Sequence, residues 1–210
     1  LADQWPGIAF LSEEMDAAEQ AALLQAPDRP LWCLDPLDGT SNFAAGIPFF
    51  GVSLALLHGG QPQLGVIYDP VRDECFSVRR GAGARLNGTV LRTPPIDLEL
   101  RRCIALIDFK RLAPDLRRRL LEAPPYHSQR NFGSCALEWA WLAAGRGHVY
   151  LHGGQKLWDF AAGCLLLEEA GGASFTLAGE TVFRPALSPR SVAASPDPAL
   201  ARDWLDWLRR

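Results

Sequence analysis

The 210-residue sequence contains no CxxC pair, no apolar run of membrane length and no strong excess of either charge. Each absence removes a class of function. The five cysteines, Cys33, Cys75, Cys103, Cys135 and Cys164, are odd in number and scattered through apolar stretches. That usage reads as buried free thiols in a reducing compartment, which makes the cytoplasm the expected location. A membrane span needs roughly 20 consecutive apolar residues, and no stretch approaches that; no signal peptide is expected either. The formal net charge is -3, so the bulk electrostatics point neither to nucleic acid nor to an anionic membrane. Ser134 lacks the G-x-S-x-G frame of a serine hydrolase. Gly81 and Gly83 lack a Walker lysine, and no EF-hand spacing occurs. His58, His127 and His148 have no neighbours at metal-ligand spacing. Arg101-Arg102 and Arg117-Arg118-Arg119 read as solvated surface.

What is present has the size and composition of a globular domain, 48% hydrophobic and 21% charged. Short apolar runs at Gly7 to Leu11 and Leu31 to Leu34 read as strands, with residues 15 to 29 polar and at most weakly helical between them. The second run is expected to stop at Asp35, in a cluster of turn and cap residues. Gly51 to Leu57 and Gln63 to Tyr68 flank His58-Gly59-Gly60-Gln61-Pro62 as a hairpin, and Glu74 to Arg79 supplies a third strand. Residues 81 to 88 are expected to be loop and turn. Residues 1–100 therefore predict a sheet-rich half. Residues 101–210 alternate: strands at Cys103 to Ile107 and Val149 to Leu151, helices at 113–122, 134–144, 158–170 and 197–209. The glycines Gly133, Gly145 and Gly171-Gly172 punctuate these helices. Alternation of this kind favours layered α/β packing in one catalytic unit.

The chemistry concentrates in Asp35-Pro36-Leu37-Asp38-Gly39-Thr40. Two carboxylates three residues apart at a strand end can converge on one point, and Mg²⁺ takes hard oxygen ligands of this kind together with substrate phosphate. The backbone N–H groups of Gly39-Thr40-Ser41, opening a helix or tight turn, would face the same spot. An Asx-type turn uses the same residues, so this hexapeptide alone leaves both readings open. Glu13-Glu14 at another strand end and Asp159 at a helix start add acidic groups from two further segments. Each has an ordinary structural reading of its own, but clustered carboxylates bind protons unless a cation neutralises them. A metal is the economical account of all four.

Leu34-Asp35-Pro36-Leu37-Asp38-Gly39-Thr40-Ser41-Asn42-Phe43 resembles the signature of the inositol monophosphatase family. Trp158-Asp159-Phe160-Ala161-Ala162-Gly163, followed by Glu168-Glu169-Ala170-Gly171-Gly172, resembles its second signature. Ser12-Glu13-Glu14 stands at its Gly-Glu-Glu element, and Gly133-Ser134-Cys135-Ala136-Leu137 at a substrate-side helix start. The resemblance implies a layered α-β-α-β-α sandwich paired as a homodimer, hydrolysing a small phosphorylated metabolite such as inositol 1-phosphate. It implies that Glu13, Asp35, the Leu37 carbonyl, Asp38 and Asp159 ligate two or three Mg²⁺ ions. Gly39, Thr40 and Ser41 would hold the phosphate, Thr40 would orient the attacking water, and Ser134, Cys135 and His152 would lie toward the substrate. One metal would activate the water and another stabilise the leaving alkoxide.

Two departures from the family pattern bear on function. Such proteins begin with a helical segment that gives the threonine an acidic partner. This chain opens at Leu1 inside a structured-looking stretch, so that segment is expected outside the sequence. At His152 inositol-specific members carry a glutamate for the sugar alcohol. With Gln155 and Lys156 near it, His152 suggests a more cationic pocket and a substrate with a second anionic group. Relatives acting on 3′-phosphoadenosine 5′-phosphate, fructose bisphosphate or histidinol phosphate are the alternatives, as is a regulatory protein that retains the fold.

Overall fold

The computed structural model describes residues 4–26, 28–93 and 96–210; Leu1 lies outside them. Seven strands form a first sheet in sequence order: β1 (Ala9–Ser12), β2 (Leu31–Asp38), β3 (Gly51–His58), β4 (Gln61–Asp69), β5 (Glu74–Arg79), β6 (Gly83–Leu86) and β7 (Thr89–Leu91). β1 runs parallel to β2, and every later pair is antiparallel. The period-2 alternation of β3 explains its placement: Ser53, Ala55 and Leu57 are buried while Val52, Leu54 and Leu56 are half-buried.

Two expectations fail here. β2 does not stop at Asp35 but continues to Asp38, pairing Asp35 with Ser53 and Asp38 with Gly51 around an irregularity. Pro36, which lacks a ladder donor, is exposed at that irregularity. Within residues 81 to 88, expected as loop and turn, Gly83–Leu86 is instead a strand, β6, paired with β7 in a hairpin. Strands of four and three residues are too short for a pattern to announce them.

A second, five-stranded sheet follows the order β11-β12-β10-β8-β9. Its members are β8 (Ile104–Asp108), β9 (Ser128–Arg130), β10 (Val149–Gln155), β11 (Ala173–Phe175) and β12 (Arg190–Ser195). β8 lies parallel to both β9 and β10. The helices are α1 (Ala17–Leu23), α2 (Thr40–Ala45), α3 (Pro114–Glu122), α4 (Cys135–Ala143), α5 (Leu157–Ala170) and α6 (Pro198–Leu208).

α4 and α5 fill the space between the sheets. Both are apolar almost all round, the composition of a helix buried on every side, and Leu137, Trp139, Phe160 and Leu165 are fully enclosed. At Gly163 an added Cβ would run into the indole of Trp139, so the two helices cross at contact distance. α6 covers the far face of the second sheet. Trp204 is fully buried there and its Nε1 donates to the Tyr150 carbonyl at 2.9 Å. Arg119 of α3 donates to the Leu208 carbonyl at 2.7 Å and lies over the Trp207 ring. The chain is therefore a layered mixed α/β sandwich of the expected class. Among the described residues, no helix is long and apolar enough to cross a membrane.

Candidate metal centre

The end of β2 and the starts of α4 and α5 meet at one point. Carboxylate oxygens of Asp35, Asp38 and Asp159 all lie within 4.8 Å of one another there. Asp159 comes from more than 120 positions beyond Asp35 and Asp38, so its meeting with them reflects tertiary packing and not a local turn. Each is held by a named donor. Asp35 accepts from the Leu37 N–H at 3.0 Å. Asp38 accepts from the Ser134 hydroxyl and, at 2.7 Å, from the Ala136 N–H. Asp159 accepts from the Lys156 N–H at 2.8 Å at the start of α5, while its own N–H donates to the Lys156 carbonyl at 3.1 Å. Two helix N-termini thus direct orphan N–H groups and positive dipole ends at the cluster.

Those donors do not neutralise it. Burial, reinforced by the charges of Asp38 and Glu13, pushes Asp35 up to about 8. Burial likewise raises Asp159 to about 7. It raises Asp38 despite the opposing hydrogen bonds of Ser134 and the α4 backbone. Two buried carboxyls and a half-buried third, all raised in proton affinity, make a site suited to a cation, and three hard oxygen donors fit Mg²⁺.

The structure places the remaining expected residues as follows. Glu13 is exposed beyond the end of β1 and outside the three-oxygen cluster, yet its charge acts on Asp35, Asp38 and Asp159 alike. The Leu37 carbonyl accepts from the Thr40 hydroxyl at 3.0 Å. Gly39 caps α2 with φ 90°, where a Cβ would also crowd the Phe49 carbonyl at 3.1 Å, so only glycine lets β2 turn directly into α2. Thr40 and Ser41 are exposed in the first turn of α2. Ser134, expected toward the substrate, is fully buried behind Asp38 and orients that carboxylate. The Cys135 thiol is raised well above its ordinary range by burial and by Asp38, so it stays protonated.

His152 is also buried. Its Nδ1 accepts from the Gly154 N–H at 3.1 Å and its Nε2 lies 3.7 Å from Asp108. Desolvation, with Arg111 and Lys110 acting in the same direction, pushes it down to about 4 against the pull of Asp108. The positive charge expected at His152 is absent near neutral pH, because a buried imidazole beside two cations stays neutral. Gln155, expected near the pocket, is fully buried and bonds Trp139 and Tyr150.

The sequence did not single out two supporting residues. Asn42 donates from its Nδ2 to the Phe49 and Phe132 carbonyls at 2.7 and 2.6 Å, tying α2 to two distant segments. Glu138 accepts from the Phe132 N–H at 2.8 Å and braces the loop before α4. Asn42 lies inside the first signature, but only its long-range partners reveal its task.

A two-sheet α/β sandwich with the carboxylates of Asp35, Asp38 and Asp159 converging at element ends defines the class: a layered α/β protein with a candidate cation site. The chain belongs to the inositol monophosphatase family, whose profile matches residues 1–207. It is 37% identical over 190 residues to a Nus factor SuhB of Vibrio cholerae, covering 84% of this chain and 70% of that one. It is 37% identical over 199 residues to an inositol monophosphatase of Mesembryanthemum crystallinum, covering 90% and 73%. Among solved structures it resembles inositol monophosphatase II from Staphylococcus aureus at TM-score 0.85 and 26% identity, covering 99% of this chain and 77% of that one. The extragenic suppressor protein suhB from Bartonella henselae matches at TM-score 0.82 and 30% identity, covering 100% and 80%.

Proposed function

We propose that this protein hydrolyses a small phosphate monoester with Mg²⁺, using water as the nucleophile. The observation that carries the reading is the convergence of Asp35, Asp38 and Asp159 within 4.8 Å, beside the first turn of α2. These three, with Glu13 and the Leu37 carbonyl at the rim, are the ligands. Bound Mg²⁺ supplies Lewis-acid charge for the phosphate oxygens, the leaving oxygen and the attacking water. The chain's own residues do the rest. The first-turn N–H groups of α2, at Thr40 and Ser41, have no intrahelical partner and are suited to phosphate oxygens, as is the Gly39 N–H before them. The Thr40 hydroxyl, one hydrogen bond from the Leu37 carbonyl, orients the water. Ser134 and the α4 backbone fix Asp38 so that its oxygens do not reorganise during turnover.

Inositol 1-phosphate is the reference substrate, since one solved relative is described as bound to inositol monophosphate and another as a dual specific IMPase/NADP phosphatase bound with D-inositol-1-phosphate. Phosphate release from a panel of esters, with and without Mg²⁺ and beside Asp38→Asn, tests the proposal. Mg²⁺-dependent turnover lost in the variant supports it. Folded protein that turns over no ester at any Mg²⁺ concentration overturns it. A second reading, a regulatory factor that keeps the fold, is favoured by the relatives called Nus factor SuhB; that second outcome would support it.

A further inference from the structure

We infer that Lys110 and Arg111, at the carboxyl ends of β8 and β10, form a subsite for a second anionic group on the substrate. That group is a phosphate or carboxylate remote from the ester that is cleaved. The inference rests on the phosphatase reading and names the class of ester the site would take.

β8 and β10 are parallel; β8 ends at Asp108, opposite His152, while β10 continues to Gln155. Carboxyl ends of parallel strands are where open α/β sheets place ligands. Immediately beyond β8 the chain folds back over β10. The Lys110 N–H donates to the Asp108 carboxylate at 2.6 Å, and the Arg111 Nη1 donates to the Gly154 carbonyl at 2.9 Å. Gly153 makes this approach possible, because any Cβ there would collide with the Arg111 carbonyl. Arg111 is therefore fixed at its backbone and at one edge of its guanidinium. The group carries five N–H donors in a fork that matches carboxylate and phosphate oxygens.

Its surroundings lack the usual partner. Arg72, Arg80, Arg146 and Arg190 each pair with a carboxylate. Among the described residues, no carboxylate lies within 4.0 Å of the side-chain nitrogens of Lys110, Arg111 or Lys156. Asp108, the acid closest by, already accepts from Lys110 and faces His152. The anchor of Arg111, Gly154, lies two residues before Lys156, whose N–H holds Asp159. An exposed guanidinium anchored on Gly154 and carrying no carboxylate suits a substrate that is anionic at both ends. His152, neutral and turned toward Asp108, braces the strand end and does not bind the anion.

Two hydrolysis-stable probes of equal length separate the terms: butylphosphonate, and 4-phosphonobutanoate with its added carboxylate. Calorimetric titration of both into the Mg²⁺-loaded protein should show about tenfold tighter binding of 4-phosphonobutanoate, the scale of one charge-assisted hydrogen bond. Arg111→Gln should remove that advantage and leave butylphosphonate unchanged, and Lys110→Gln should reduce it in part. Equal affinity of the two probes for the native protein, or a preference that survives Arg111→Gln combined with Lys110→Gln, would overturn the subsite. Absence of ester turnover would count against the phosphatase reading, whereas the calorimetric comparison stands without it.

Discussion

Removing Mg²⁺ should make the protein's stability fall as pH rises, opposite to the usual trend for carboxylates in ion pairs. Asp35 and Asp159 have folded-state values of about 8 and about 7, above the ordinary carboxyl range. A group raised on folding binds its proton more tightly in the native state, so stability is lost as pH climbs from about 4 through about 8. For one isolated carboxyl, three pH units at about 1.36 kcal/mol each give roughly 4 kcal/mol. The two share the same mutual repulsion, and adding them fully would count it twice. A net loss of about 4 kcal/mol for the pair is the appropriate scale, or roughly 10 °C in Tm for a chain of this size. Thermal unfolding at pH 5 and pH 8, after chelation and again with Mg²⁺, measures it. The cation should restore most of the loss at pH 8 and add little at pH 5, where protons occupy the site. Glu138, raised to about 7 by burial, titrates in both series. So does His152, whose lowered value costs stability below about pH 6.5. The Mg²⁺-dependent difference therefore isolates the cluster. An equal Mg²⁺ gain at both pH values would refute the assignment of those carboxyls as its ligands.

Other substitutions test the supports. Asp38→Asn should lower kcat by at least about 100-fold with an unchanged circular-dichroism spectrum, since it removes a ligand charge and leaves the donors of α4 in place. Ser134→Ala should weaken Mg²⁺ by roughly 10- to 100-fold in a metal titration, the usual cost of losing a residue that orients a ligand. Gly163→Ala should destabilise the protein by about 2 kcal/mol in denaturant unfolding, because its Cβ meets the rigid indole of Trp139 and not a flexible chain end. Glu169→Ala should cost about 1 to 2 kcal/mol in the same assay, as its carboxylate accepts from the Gly81 and Gly83 N–H groups at 2.7 and 2.9 Å.

Read along the chain, the residues already show the two signatures, the carboxylates Asp35, Asp38 and Asp159, and most elements with clear punctuation or period. α5, closed by Gly171, and the β3–β4 hairpin around Gly59-Gly60 were legible because local residues dictate them. β9, β11 and β12 were not legible: three or six residues such as Ser128–Arg130 or Arg190–Ser195 become strands only because β8, β10 and one another offer ladder partners. The same holds at the site. Asp35 and Asp38 announce themselves through their spacing, whereas their raised proton affinity depends on burial in the folded chain and on the charge of Glu13 brought up from another strand end. Only tertiary structure put Ser134 behind Asp38, held His152 neutral and brought Arg111 from the end of one strand onto Gly154 of another. Motifs are written along the chain, but charge, burial and hydrogen-bond partnership are properties of distances that the chain acquires only when its two sheets close on α4 and α5.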